Sequence, residues 1–336
     1  MIISRTPHRI SFLGGGTDYP EYYMKHGGKV LGTAIDKYCY LNVRELPPFF
    51  THKHRIVYSK SENTQTLDEI QHPSVRAVLK HLGVDCGMSI HHDGDIPARS
   101  GMGSSSAFTV GLLKSMHALE GKYISKEDLT RESIYIEQKL IKENVGSQDQ
   151  TFAVYGGFNL IEFQKNGEIE VKPIIIQPER MHSFESNLML FFTGLSRFSS
   201  EIAEEQVKNT SLNIAKLDKM KDLVDQAVQI VADEENNLND FGALLNETWH
   251  IKKQLSSQVS NSLINDIYKK ALAAGALGGK LLGAGGGGFM LFYVPPEKQA
   301  AVKKDLSEYL HVPFKFDFEG SKVIVYQPEN QSRIFL

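Results

Sequence analysis

Over the first ninety residues, short runs of β-branched and aromatic residues stand between turn residues, which predicts strands over 1–4, 9–13, 29–34, 38–46, 55–59 and 88–92. The period then changes. Ala107, Phe108, Val110, Leu112, Leu113, Met116 and Leu119 give a helix that is apolar on most of its circumference, so it is expected to be buried. A capping box, Ser125-Lys-Glu-Asp128, opens the next helix, whose apolar stripe of Leu129, Ile136 and Leu140 carries Glu137 well inside and which ends near Asn144. Farther on, 188–193 reads as a short buried strand, and helices are expected at about 199–210, 213–235, 239–256 and 262–274. An apolar strand over 289–294 ends at Pro295-Pro296, a helix runs to about 310, and 314–318 and 322–326 close the chain as strands. Strands and helices are grouped rather than alternating, which favours an α+β fold over a doubly wound parallel sheet.

The chain has 336 residues, so two domains are expected, divided as 1–175 and 176–336. A net charge of -3 and a pI near 6.5 supply no field for nucleic acid or an anionic membrane, which leaves small molecules as the expected partners. The sequence does not give the oligomeric state. Two cysteines make no disulfide framework, and the N-terminus lacks the apolar core of a signal peptide, so a cytoplasmic protein is expected.

Three glycine-rich loops carry the candidate chemistry. The central one, Pro97-Ala-Arg-Ser-Gly-Met-Gly-Ser-Ser-Ser-Ala107, lies between a strand and the apolar helix. Gly101 and Gly103 let a ligand approach the backbone, and the free N–H groups of the first helical turn favour an anion, so the loop reads as a phosphate cradle. The first loop, Gly14-Gly-Gly-Thr-Asp18, can hold the hydroxyls of a small molecule. The third, Gly283-Ala-Gly-Gly-Gly-Gly288, fits a dinucleotide fingerprint in spacing but not in context, because its strand follows instead of preceding. Asp240-Phe-Gly242 spells a protein-kinase metal motif without the catalytic loop that should precede it. His91 and His92 point to opposite sides of one strand and make no joint metal site.

The order and spacing of these loops resemble the GHMP kinases, the family of galactokinase, homoserine kinase and mevalonate kinase, over nearly the whole chain. The family pattern P-x-x-x-G-L-G-S-S-A-A is met with Met102 for leucine and Ser106 for the first alanine. The resemblance implies a two-domain fold with an N-terminal α+β domain and a ferredoxin-like C-terminal domain. It implies that the stretch Arg99, Ser100, Gly101, Met102, Gly103, Ser104, Ser105 and Ser106 wraps the phosphates of ATP, aided by Gly285 and Gly286. It also implies that Ser105 and Glu137 hold Mg²⁺, that Asp149 is the catalytic aspartate, and that Arg9 lies beside it. Phosphoryl transfer asks for positioning and charge neutralisation, which suits such a set.

The remaining implications concern the acceptor. Gly16, Thr17 and Asp18 match the sugar-binding loop, but Gly15 and Gly16 stand where galactokinases have glutamate and histidine, which argues against galactose. Gly14-Gly-Gly-Thr-Asp18 with Gly146-Ser-Gln-Asp-Gln150 most resembles the D-glycero-D-manno-heptose 7-phosphate kinases and the kinase part of L-fucokinases. The chain leaves no room for the second catalytic domain of bifunctional fucose enzymes, so phosphorylation of the anomeric hydroxyl of the heptose phosphate, feeding GDP-heptose for surface glycans, is the expectation. A kinase of another sugar is the alternative, ahead of a silent sugar or nucleotide sensor. A phosphorylated substrate requires a second anion site, for which Arg197 is the candidate, with Lys29 and Arg99 behind it.

Overall fold

The computed structural model describes residues 1–195 and 199–327. The chain begins with β1 (Ile2–Leu13), α1 (Pro20–His26) and β2 (Gly28–Glu45). Each of these two long strands replaces two expected short ones, because the polar interruptions are bulges: the register slips at Pro7, which has no N–H to give the ladder, and Asp36 and Lys37 opposite are the extra residues. The hairpin β3 (His54–Val57) and β4 (Ser61–Thr64), then α2 (Pro73–His81), β5 (Met88–Gly94) and the buried α3 (Ser104–Leu119), complete the first third of the chain.

Ser125 caps α4 (Lys126–Tyr135) through a hydrogen bond from the Asp128 N–H. This helix does not run on to Asn144. It widens into a π-helical segment over Ile136–Ile141 and stops at Lys142, whose φ is 62°. There follow α5 (Gln148–Tyr155), β6 (Phe158–Phe163), β7 (Ile169–Pro173), α6 (Pro178–Ser186) and β8 (Leu188–Phe192). Helices α7 (Ser199–Lys208), α8 (Ile214–Ala232), α9 (Asn239–Lys252) and α10 (Ser262–Ala273) lead to β9 (Gly278–Leu281) and β10 (Phe289–Tyr293). After Pro295-Pro296, α11 (Gln299–Asp305) ends five residues short of the expected 310, and β11 (Leu310–His311), β12 (Phe316–Asp317) and β13 (Lys322–Tyr326) follow.

The fold is α+β with two sheets. In the larger one β2 is the spine: β1 runs along one edge, while β6, β12 and β5 pair in succession with the other, all antiparallel. β13 adds outside β1, so the last two strands belong to the sheet that the first residues start. The smaller sheet has the order β11-β8-β10-β9, all antiparallel, which is the 4-1-3-2 arrangement of a ferredoxin-like unit. Among the described residues no helix is long and apolar enough to cross a membrane.

Phe12 stands where the sheets meet. Its ring contacts Phe158, Phe184 and Phe241 edge-on at 5.7–5.8 Å and Phe316 at 6.3 Å, so one residue of β1 touches β6, α6, α9 and β12. These rings belong to one apolar cluster that also takes Leu190 and Leu291 from the smaller sheet. Burial of an aromatic side chain at such a junction contributes several kcal/mol. Phe12→Ala is therefore expected to cost about 3–5 kcal/mol in denaturant unfolding, and a loss under about 1 kcal/mol would show that the junction is held elsewhere.

Candidate active site

One cleft receives all three glycine loops. β1 delivers Arg9, whose Nε and Nη2 donate to the two carboxylate oxygens of Asp149 at 2.8 and 3.0 Å. Its Nη1 donates to Gly101 O at 2.8 Å, so the guanidinium also grips the central loop. Arg9 is 4% exposed. A buried two-pronged contact of this kind fixes the direction of the carboxylate. Asp149 sits in the first turn of α5, beside the positive end of that helix.

The central loop faces the cleft through Arg99, Gly101, Gly103, Ser104 and Ser105. Gly103 is the N-cap of α3 and has no side chain to satisfy the first-turn N–H groups. Ser104 Oγ, which could have served as a cap, instead accepts a bond from the Arg99 N–H. The central and third loops interlock back to back. A Cβ on Gly101, where φ is 80°, would stand 2.6 Å from Leu282 O, and one on Gly283 would stand 2.5 Å from Gly101 Cα. Gly283 and Ala284 line the cleft. Gly285 and Gly286 turn away from it: the Gly286 N–H donates to Val259 O, and Gly285 packs on the Val259 backbone.

Several other residues singled out in the sequence lie behind the surface. Met102 is in the core. Ser100 is fully buried, its carbonyl accepting the Phe289 N–H. Ser106 is buried too, and its hydroxyl, not that of Ser105, donates to Glu137 Oε2 at 2.8 Å. Ser105 is exposed in the cleft and makes no hydrogen bond to Glu137. Glu137 lies on the π-helical segment with Gln150 also donating to Oε2, while Oε1 has no partner. Complete burial, aided by the charge of Glu143, pushes the Glu137 carboxyl up to about 8.

The first loop closes the other side. Thr17 is internal, its hydroxyl held by Gly14 O and Lys29 O, whereas Gly16 and Asp18 face the cleft. Asp18 accepts the N–H groups of Gly16 and Gln148, and burial followed by the nearby Asp149 charge raises its carboxyl above the ordinary range. A Cβ on Gly146 would stand 1.9 Å from Asp18 Oδ2, so any side chain there would displace the Asp18 carboxylate. Lys29 is turned to Asp225 and Glu162 and does not line the cleft. Arg197 lies outside the described residues.

Sequence reasoning gave no role to Lys252 or Lys280. Both are buried in the cleft wall. Lys280 Nζ donates to Ser11 O and Phe12 O, and Lys252 Nζ to Leu281 O and Gly283 O. Burial, then neighbouring positive charge, pushes Lys252 down to about 7 and Lys280 well below its usual range. A signal existed: Lys280 interrupts an apolar strand, and Lys252 falls three and seven residues after Trp249 and Leu245, on the buried face of α9.

Residues 70–157 match the family model described as GHMP kinases N terminal domain, and residues 226–312 match GHMP kinases C terminal. The chain is 33% identical to D-glycero-alpha-D-manno-heptose 7-phosphate kinase of Campylobacter jejuni, over 96% of this chain and 98% of that protein. It is 26% identical to the L-fucokinase/L-fucose-1-P guanylyltransferase of Bacteroides fragilis, over 90% of this chain and 35% of that protein. Among solved structures, that of a D-glycero-D-manno-heptose 1-phosphate kinase from Bacteroides thetaiotaomicron matches with a TM-score of 0.79 at 23% identity, covering 97% of this chain and all of that one.

Glu137 also sets a pH dependence of stability. Folded, it keeps its proton up to about pH 8, whereas an unfolded glutamate loses it near 4.5, so between these values the folded state binds more protons. Stability should then fall as pH rises through that window. In the magnesium-free protein, Glu137→Gln is expected to flatten this fall and to melt above the parent at pH 8; parallel slopes from pH 5 to 8 would assign the dependence to another group.

Proposed function

Because the chain belongs to the GHMP kinases and is a sugar kinase of that family, we propose that it transfers the γ-phosphoryl group of ATP to the anomeric hydroxyl of D-glycero-D-manno-heptose 7-phosphate. The product is the 1,7-bisphosphate, a precursor of GDP-heptose for surface polysaccharide. The observation that carries the reading is the convergence of the Arg9–Asp149 pair, the uncapped first turn of α3 and Asp18 on one cleft, in a chain similar from end to end to a kinase named for this substrate. ATP is the donor of the family.

The residues divide the work. The first-turn N–H groups of α3 and the open backbone at Gly101 and Gly103 receive the nucleotide phosphates. Asp149, aimed by the two N–H groups of Arg9, orients the acceptor hydroxyl and takes its proton as the new P–O bond forms. The positive charge of Arg9 also offsets charge gathering on the transferred group. Asp18 accepts from sugar hydroxyls. For magnesium the donor set fits: Ser105 presents a free hydroxyl to the cleft, and the unpartnered Glu137 Oε1 is a buried oxygen without a bond. These two residues would hold the ion, which supplies charge neutralisation to the phosphates. Among the described residues no group of three or more His, Cys, Asp or Glu could hold a metal by itself, so phosphate oxygens and water would be needed to complete its ligands.

The substrate's own phosphate requires cations. Arg99, Lys252 and Lys280 line the described wall beside Arg9, and Arg197 is the candidate taken from the sequence. Arg197→Ala is expected to raise the KM for the heptose phosphate about tenfold or more while leaving that for ATP within about twofold, on the scale of a lost charged hydrogen bond. Equal losses for both would remove Arg197 from this role.

The direct test offers purified enzyme a panel of sugars and sugar phosphates with ATP and reads the product by NMR. Preference for an unphosphorylated hexose such as L-fucose would overturn the heptose assignment. Asp149→Asn should lower kcat by about a hundredfold to ten-thousandfold. Wild-type protein that binds ATP and sugar yet turns over no faster than this variant would be a sensor, not a kinase.

A further inference from the structure

Two side chains in the cleft wall have buried polar atoms that no contact uses. Ser11 follows Arg9 by two residues on β1 and so shares its face of the strand. It is 5% exposed, and its Oγ has no hydrogen-bond partner. Gln148, the neighbour of Asp149, is 8% exposed, and its Oε1 is likewise unpartnered. Both line the cleft, and both flank Gly15: a Cβ there would stand 3.3 Å from Ser11 Oγ and 3.6 Å from Gln148 Nε2. An unsatisfied buried polar atom is costly. Nothing assigned so far employs either one. The bond from Gln148 to Asp18 uses its backbone N–H, and Lys280 takes the Ser11 carbonyl, not the hydroxyl.

Resting on the reading of this cleft as the acceptor site of a sugar kinase, we propose that Ser11 and Gln148 form a hydroxyl-recognising subsite over Gly15 that selects the sugar. A sugar hydroxyl both donates and accepts. Gln148 offers an amide oxygen and an amide N–H₂, and the Ser11 hydroxyl plays either part, so one ring hydroxyl can be satisfied from both sides. Gly15 keeps that space open. Arg9 and Asp149 adjoin the subsite in sequence and in the wall, so the hydroxyl it reads lies near the reacting end of the sugar. A site of this kind rejects an epimer or deoxy analogue more strongly than shape does, because the wrong sugar leaves buried groups unpaired.

The test uses the full chain with Ser11→Ala, Gln148→Leu and the double variant. It measures kcat/KM with ATP for D-glycero-D-manno-heptose 7-phosphate, mannose 6-phosphate, glucose 6-phosphate, L-fucose and galactose. Each single variant is expected to lower kcat/KM for the preferred sugar about 10- to 100-fold, mainly through its KM, with the KM for ATP within about twofold. Preference over the other sugars should shrink by the same factor. Without ligand, Ser11→Ala should melt at or above the parent temperature, since it removes only an unpartnered oxygen, and it decides the matter alone if Gln148→Leu fails to fold. An unchanged ratio of kcat/KM between the preferred sugar and the others, which is an equal loss on all of them or no loss at all, overturns the subsite. Wild type that phosphorylates no sugar of the panel overturns the kinase reading and the subsite with it. Wild type that prefers one sugar, with variants that keep the preference, sinks the subsite alone.

Discussion

The site depends on a buried guanidinium. Arg9 gives two N–H groups to Asp149 and a third to the carbonyl of Gly101, so the strand, the helix that carries the carboxylate and the phosphate loop meet at one side chain. A charge this deep is tolerated only when paired and bonded, and removal of one partner leaves the other uncompensated. That requirement fixes more than the pair. β1 must pass its bulge at Pro7 in one register to present Arg9 inward. Gly101 and Gly283 must lack side chains for the loop carbonyl to come within reach. Phe12, three residues along β1, anchors the strand in the aromatic junction between the sheets.

Around this pair the protein concentrates groups that a folded core normally avoids. Glu137 is fully buried with one oxygen free, Lys252 and Lys280 spend their protons' directions on backbone carbonyls, and Asp18 stands beside a second carboxylate. Each lowers the stability of the empty protein. Asp18, Lys252 and Lys280 share one cleft with the Arg9–Asp149 pair, and that grouping, instead of a scatter through the interior, is the physical mark of a binding site.

Much of the fold was legible because the periods were clean. The buried circumference of α3, the Ser125 cap and the final strand at 322–326 follow from spacing and end signals alone. The misread elements share a cause: polar residues inside an element look like its end. Pro7 and Asp36-Lys37 are bulges within continuous strands. The widening at Ile136–Ile141 leaves the apolar stripe intact and is invisible to a helical count. At the site, Arg9 and Asp149 are 140 residues apart, and nothing local pairs them; the family resemblance did. The same resemblance pairs Ser105 with Glu137, where the structure bonds Ser106, and it does not say that Gly285 and Gly286 turn to Val259. Ser11 and Lys252 escaped because each is an ordinary residue at an ordinary spacing, and only the surrounding chain makes it unusual.

The pairing of β13 with β1 has a consequence for synthesis. Ile2 faces Tyr326 across the sheet, and the Met1 amine reaches the Gln327 carbonyl, so the outer edge of the first strand is covered by nearly the last residues described. Until the ribosome has made residues 322–326, that edge stays open, a row of unpaired donors and acceptors available to another nascent chain. β12, which pairs with β2, is equally late. The arginine strand is made long before the strand that seals its edge. Such long-range closure slows folding and lengthens the time spent exposed. The strand that carries Arg9 thus completes its pairing only after β13 has been made.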